Sequence, residues 1–97
     1  MKRLKGSTLE AYLVDAQIAA RVKRARQESG LTQVELSAAI GVSLPQLKKY
    51  ERGANRITCS TLMMIARALD LKASELLGEG APPIASSALP VAGGPPR

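Results

Sequence analysis

Lys48, Lys49 and Arg52 stand within five residues of one another, just behind Gln46, and Asn55 and Arg56 follow. Their ammonium, guanidinium and amide groups are rich in N–H donors, which suit the phosphate oxygens of a polyanion and the acceptor atoms on base edges. Catalysis needs other groups. The chain has no histidine to act as a base, no Gly-rich phosphate loop and no Ser–His or Cys–His pairing, so no enzymatic role is expected.

The whole composition points the same way. Fourteen Lys and Arg against eight Asp and Glu leave a net charge of +6. Without histidine that charge changes little near neutral pH, and the expected partner is polyanionic. A single cysteine, Cys59, cannot close an internal disulfide, and it has no resolving cysteine beside it. Without histidine or further cysteines there is no zinc-ligand cluster, so no metal or other cofactor is expected, and the compartment expected is the reducing cytoplasm. No apolar run reaches the roughly 18 to 20 residues of a spanning helix. The basic start (Lys2, Arg3, Lys5) leads into polar Ser7, Thr8 and Glu10, so neither export nor membrane insertion is expected. No small-molecule ligand is evident.

The donors need a rigid support, and residues 31 to 53, LTQVELSAAIGVSLPQLKKYERG, read as one: two short helical patterns joined by Gly41-Val42-Ser43. Thr32 caps the first, whose inward positions are Leu36, Ser37 and Ile40, and Gly41 ends it in left-handed geometry. Ser43 caps the second, and Pro45 falls in its first turn, where a missing N–H costs nothing. Leu47 and Tyr50 face inward at i and i+3, which sends Leu44, Gln46, Lys48 and Lys49 to the sides or outward. A helix so placed is narrow enough to enter a DNA major groove.

The flanking sequence supplies the rest of a small all-α domain. Ser7-Thr8-Leu9-Glu10 fits a capping box that would start a helix near Thr8, but Asp15 is also a good N-cap, so one helix or two remain open before the stop at Gly30. Ile18, Val22 and Ala25 mark an apolar face; Arg21, Lys23 and Arg24 mark a cationic one. Thr58 caps a fourth helix with Leu62, Ile65, Ala66 and Leu69 at core spacing, and Leu71, Leu76 and Leu77 are assigned to a short fifth. After Gly78 the chain turns to Pro, Ala, Ser and Gly. The expected organisation is a basic N-terminal segment (1–14), a helical domain (15–78) and a disordered tail (79–97).

From Val22 to Leu77 the chain resembles the helix-turn-helix domain of the Cro and phage-repressor (Xre) family. The likeness is carried by Leu31-Thr32-Gln33, Glu35-Leu36, Gly41-Val42-Ser43, Tyr50-Glu51-Arg52-Gly53, Ile65-Ala66 and Ala68-Leu69. It implies a five-helix, lambda-repressor-like fold. It departs from the family at Ser37, where alanine is usual and the hydroxyl is expected to bond back to the carbonyl four residues earlier. It also departs at Leu44-Pro45, where relatives often carry hydrogen-bonding side chains.

The resemblance places the start of the third helix in the major groove, so Ser43, Leu44, Pro45, Gln46 and Lys49 are expected to meet base edges. Lys49 can donate to guanine O6 and N7, while Leu44 and Pro45 can select a thymine methyl by contact. Gln33, at the start of the second helix, is expected at a phosphate, with Lys48, Arg52, Asn55 and Arg56 as further phosphate donors. The resemblance also pairs Arg26 with Glu51 as a partly buried ion pair.

The function expected is sequence-specific binding of double-stranded DNA by a homodimeric transcriptional repressor on an inverted repeat, with Leu9 to Ala16 or the Met63, Leu76, Leu77 surface as subunit contact. Of the adjacent Met63 and Met64, one is expected to be exposed. Three alternatives remain: an antitoxin-type autorepressor that binds a toxin, a module that sequesters another regulator, and an architectural protein coating DNA with little sequence preference.

Overall fold

The computed structural model describes the backbone of residues 2–78 and the side chains from residue 9 onward. Within it the chain forms five helices: α1 (Lys2–Glu28), α2 (Gln33–Ile40), α3 (Leu44–Arg52), α4 (Cys59–Ala68) and α5 (Ala73–Leu77). Residues 79–97, expected as a disordered tail, lie outside the described residues.

Local chemistry sets most of the boundaries. Thr32 and Glu35 form a reciprocal box: the Thr32 hydroxyl accepts from the Glu35 amide at 3.0 Å, and the Glu35 carboxylate accepts from the Thr32 amide at 2.9 Å. The Ser43 hydroxyl accepts from the Gln46 amide at 3.1 Å, and Pro45 sits in the first turn of α3 as expected. Thr58 caps α4 through the Thr61 amide at 3.2 Å. α2 and α3 both stop at a glycine with positive φ, +75° at Gly41 and +76° at Gly53, a left-handed conformation that residues with a side chain rarely adopt.

The choice left open between one first helix and two resolves to one: α1 runs unbroken for 27 residues. It begins at Lys2, upstream of Thr8, and neither Ser7 nor Asp15 interrupts it. Between Ser7 and Glu28 there is no Gly or Pro, and Ala11, Ala16, Ala19 and Ala20 favour helix. Asp15 therefore lies mid-helix, and its carboxylate serves tertiary structure instead of a helix start.

The core collects one stripe from each helix. Val22, Leu36, Ile40, Leu47, Leu62, Ile65, Ala66, Leu69 and Leu76 are buried together, with Ile18, Ala25, Leu31, Tyr50 and Leu71 packed around them. α1 packs on α3 and α5, and α2 on α3 and α4. Tyr50 is thus a core residue. The Ser37 hydroxyl does bond back, but to the Val34 carbonyl three residues earlier, at 2.9 Å.

The end of the domain departs from expectation in three places. Leu71 precedes α5 and packs on the core from the link after α4, because α4 ends at Ala68 and Asp70 turns the chain with φ +58°. Leu76 is buried, so it cannot serve an intersubunit surface, whereas Leu77 is 47% exposed. Met63 and Met64 are both exposed, since Leu62 and Ile65 already take the inward positions of α4.

Candidate nucleic-acid interface

The anchor of the site is a charge cluster under α2 and α3. Arg26, in the last turn of α1, grips Glu51 near the end of α3 with two parallel bonds, Nε to Oε2 at 2.7 Å and Nη2 to Oε1 at 3.1 Å. The Arg26 side chain is 9% exposed and that of Glu51 2%, so the pair expected there is deeply buried. Two further bonds satisfy it. Arg26 Nη1 donates to the Leu31 carbonyl at 2.9 Å, and Gln33 Nε2 donates to Glu51 Oε1 at 3.0 Å. One buried cluster thus joins α1, the turn after it, the start of α2 and the end of α3.

Spacing alone did not place Gln33 in this cluster. Its side chain is half-buried, with an N–H committed to Glu51, so its direction is fixed by the ion pair. The Leu31 carbonyl was missed too. Only Gln33's position at the start of the same helix hinted at the link, since a crossing of α2 over α3 is needed to bring positions 33 and 51 together.

On the outside of this anchored pair, the expected donors line up as their spacing requires. Ser43, Pro45, Lys48, Lys49 and Arg52 are exposed, while Leu44 and Gln46 are half-buried at the near end of α3. None of the ion pairs among the described residues involves Lys48, Lys49 or Arg52. Repulsion among three neighbouring cations is tolerable in water and becomes attraction on a phosphate backbone. Asn55 and Arg56 are exposed in the segment between α3 and α4.

Arg56 is not idle there. Its Nε lies 2.8 Å from the Asp15 carboxylate of α1. No local pattern announced this contact, which spans 41 positions. Alongside it α1 runs close to the end of α3, since a Cβ placed on Gly53 would meet Ala16 and Ala19 at 3.9 Å.

Elsewhere the described surface offers little chemistry. An open groove of about 340 Å³ between α1 and α5 is lined by Arg21, Arg24, Glu28, Leu71 and Glu75, and Arg24 is paired with Glu28 at 3.3 Å. Among the described residues no cluster of His, Cys, Asp or Glu could hold a metal ion, and no helix is long and apolar enough to cross a membrane.

A helical bundle in which one short helix braces a second, whose outer face is capped, cationic and open, is a helix-turn-helix DNA-binding domain. The helix-turn-helix family matches residues 22–76, more than half of the chain, and the chain belongs to it, in its Cro and phage-repressor (Xre) type. An uncharacterised transcriptional regulator in the ATPase CF(0) region of Rhodospirillum rubrum is 39% identical across 91% of this chain and 90% of its own length. The cryptic phage CTXphi transcriptional repressor RstR of Vibrio cholerae is 38% identical across 63% of this chain and 54% of its own. Among solved structures, the restriction-modification controller protein C.AhdI of Aeromonas hydrophila superposes with a TM-score of 0.61 at 29% identity, over 68% of this chain and 97% of that one. The clp gene regulator ClgR of C. glutamicum gives the same score and identity over 71% and 94%. The five-helix fold expected from the sequence is confirmed, and the chain is a DNA-binding transcriptional regulator.

Proposed function

We propose that the protein is a sequence-specific repressor that binds an inverted-repeat operator as a homodimer. The observation that supports this best is the exposed Lys48, Lys49, Arg52 set on a helix whose far side is fixed by a buried ion pair. Rigid backing holds the reading helix in one direction, which is what discrimination between base steps requires.

In this reading Ser43, Leu44, Pro45, Gln46 and Lys49 face base edges. Lys49 donates to guanine O6 and N7, and the apolar pair Leu44-Pro45 presses on a thymine methyl. Lys48, Arg52, Asn55 and Arg56 hold phosphates. Gln33 does so with the N–H groups of the first turn of α2, where the helix dipole also favours an anion. Glu51 keeps the Gln33 amide in place for that contact.

A monomer of this size reads only a few base pairs, whereas two copies related by a twofold axis read half-sites about 34 Å apart. Repression follows from occupying such a site, and the relative named as a phage transcriptional repressor supports that outcome over activation.

Selection of bound sequences from a random double-stranded pool tests the reading. The expected result is an inverted repeat preferred over random DNA by about 10³ or more. Enrichment of no sequence, with tight binding retained, would instead identify a protein that coats DNA.

A further inference from the structure

Residues 9–14 of α1 lack cover. Burial along the helix begins at Ala19 and Val22, whereas Leu9, Tyr12, Leu13 and Val14 are 59%, 63%, 52% and 55% exposed. Single exposed apolar residues are ordinary. Four within six positions of one helix are not: Leu9, Tyr12 and Leu13, spaced i, i+3 and i+4, form one stripe about 100° wide, with Val14 about 100° beyond Leu13 at its edge. A stripe of that kind calls for a partner packed along one side of the helix. An isolated helix of this length is also marginal in water without a packed face.

We propose that residues 9–14 of α1 pair with the same segment of a second copy of this chain and form the subunit contact of the dimer. The inference rests on the dimeric reading above and names its surface.

Area and placement argue for a second copy as the occupant. The four side chains expose on the order of 500 Å² per copy, a large part of the ~800 Å² per partner of a standard interface. Two such helices running antiparallel, with the axis between Ala11 and Tyr12, set Leu9 of each opposite Val14 of the other, so that one apolar segment covers the other. A twofold axis there satisfies both copies at once.

The base of the projecting segment is also packed against the DNA-facing side. Ala16 and Ala19 pass beside Gly53 at the end of α3. A contact made by residues 9–14 therefore sets the distance and angle between the two α3 helices, and with them the spacing of half-sites.

Sedimentation equilibrium of the full chain and of the Tyr12→Glu/Leu13→Glu variant decides the matter. The wild type is expected at twice the 10.2 kDa chain mass. The variant should dissociate about 100-fold or more weakly associated, two buried side chains per copy being replaced by carboxylates. Both positions are outside the core, so helical circular dichroism should be unchanged.

The outcomes separate. A dimer that survives in this variant and breaks with Met63→Glu/Leu77→Glu overturns the α1 surface and leaves the dimeric reading standing. A wild type that stays monomeric while protecting a selected site overturns both. A dimer broken as expected, in a protein that selects no DNA site, leaves the α1 contact standing and removes the repressor reading.

Discussion

At the residue scale, the side chains divide into those that hold α3 still and those that meet DNA, and substitutions should separate the two roles. Among the described residues, the Arg26 and Glu51 side chains are bonded to each other, to the Leu31 carbonyl and to Gln33. Removing Arg26 strands a carboxylate that is 2% exposed, so Arg26→Ala should cost about 3–5 kcal/mol in urea denaturation. A double change to apolar residues of similar volume, Arg26→Met with Glu51→Leu, should recover most of that loss, because neither charge is then left alone. Equal destabilisation by the single and double variants would mean that the loss is one of packing. Lys49→Ala and Arg52→Ala leave this cluster intact and should fold normally. In the proposed complex Lys49→Ala relaxes the preference at one base step of each half-site by about 1–3 kcal/mol, whereas Arg52→Ala weakens all sequences alike. Binding to a panel of point-mutated operators distinguishes these patterns, and identical profiles would refute the division of labour.

Elements depend on a few backbone positions, and two of them make opposite predictions. At Gly53 an added Cβ has room, with its nearest neighbours at 3.9 Å, so the cost of Gly53→Ala is purely that of a left-handed residue with a side chain. That should lower stability by about 1–2 kcal/mol. Asp70 already occupies such a conformation, with φ +58°, and Asp70→Gly should be neutral or stabilising by up to about 1 kcal/mol after allowing for the freer unfolded chain. Thermal melts of the two variants should move in different directions or, for Asp70→Gly, not at all. Asp70 carried no such signal, but the features that set most helix starts were legible in the sequence because they act over three or four residues. The Thr32 cap, Ser43 with Pro45, and the apolar spacing of Leu62, Ile65 and Leu69 need no tertiary contact to be read. The outward set on α3 was legible for the same reason, once Leu47 and Tyr50 were assigned inward. What escaped was whatever depended on distant residues or on competing local signals. Ser7-Glu10 and Asp15 each look like a helix start, and only the uninterrupted helix-forming stretch around them overrules both. Asp15 with Arg56, and Gln33 with Glu51, exist because helices cross, and no periodicity encodes that.

For the whole molecule, the charge distribution makes the most general prediction. The net charge of +6 is not spread evenly in its effect, since Arg26, Arg24 and Arg56 are engaged with carboxylates while Lys48, Lys49 and Arg52 are in none of the ion pairs among the described residues. Binding DNA releases counterions in proportion to the phosphates neutralised, so a dimer contacting about four per protomer should show a log–log salt slope near −7, at −0.9 per phosphate. Arg56 is the discriminating case. Its side chain is 73% exposed, and an exposed pair such as that with Asp15 is worth about 0–1 kcal/mol, less than a well-formed phosphate contact in the field of the duplex. It should therefore exchange partners on binding. Arg56→Ala is expected to flatten the slope by about 1.8 per dimer, the same as Arg52→Ala, whereas Lys23→Ala, on the exposed face of α1, should leave it unchanged. Fluorescence anisotropy titrations between about 50 and 200 mM salt resolve differences of that size. If Arg56→Ala leaves the slope at the wild-type value while Arg52→Ala flattens it, Arg56 stays with Asp15 in the complex and belongs to the scaffold that fixes α1, not to the DNA contact.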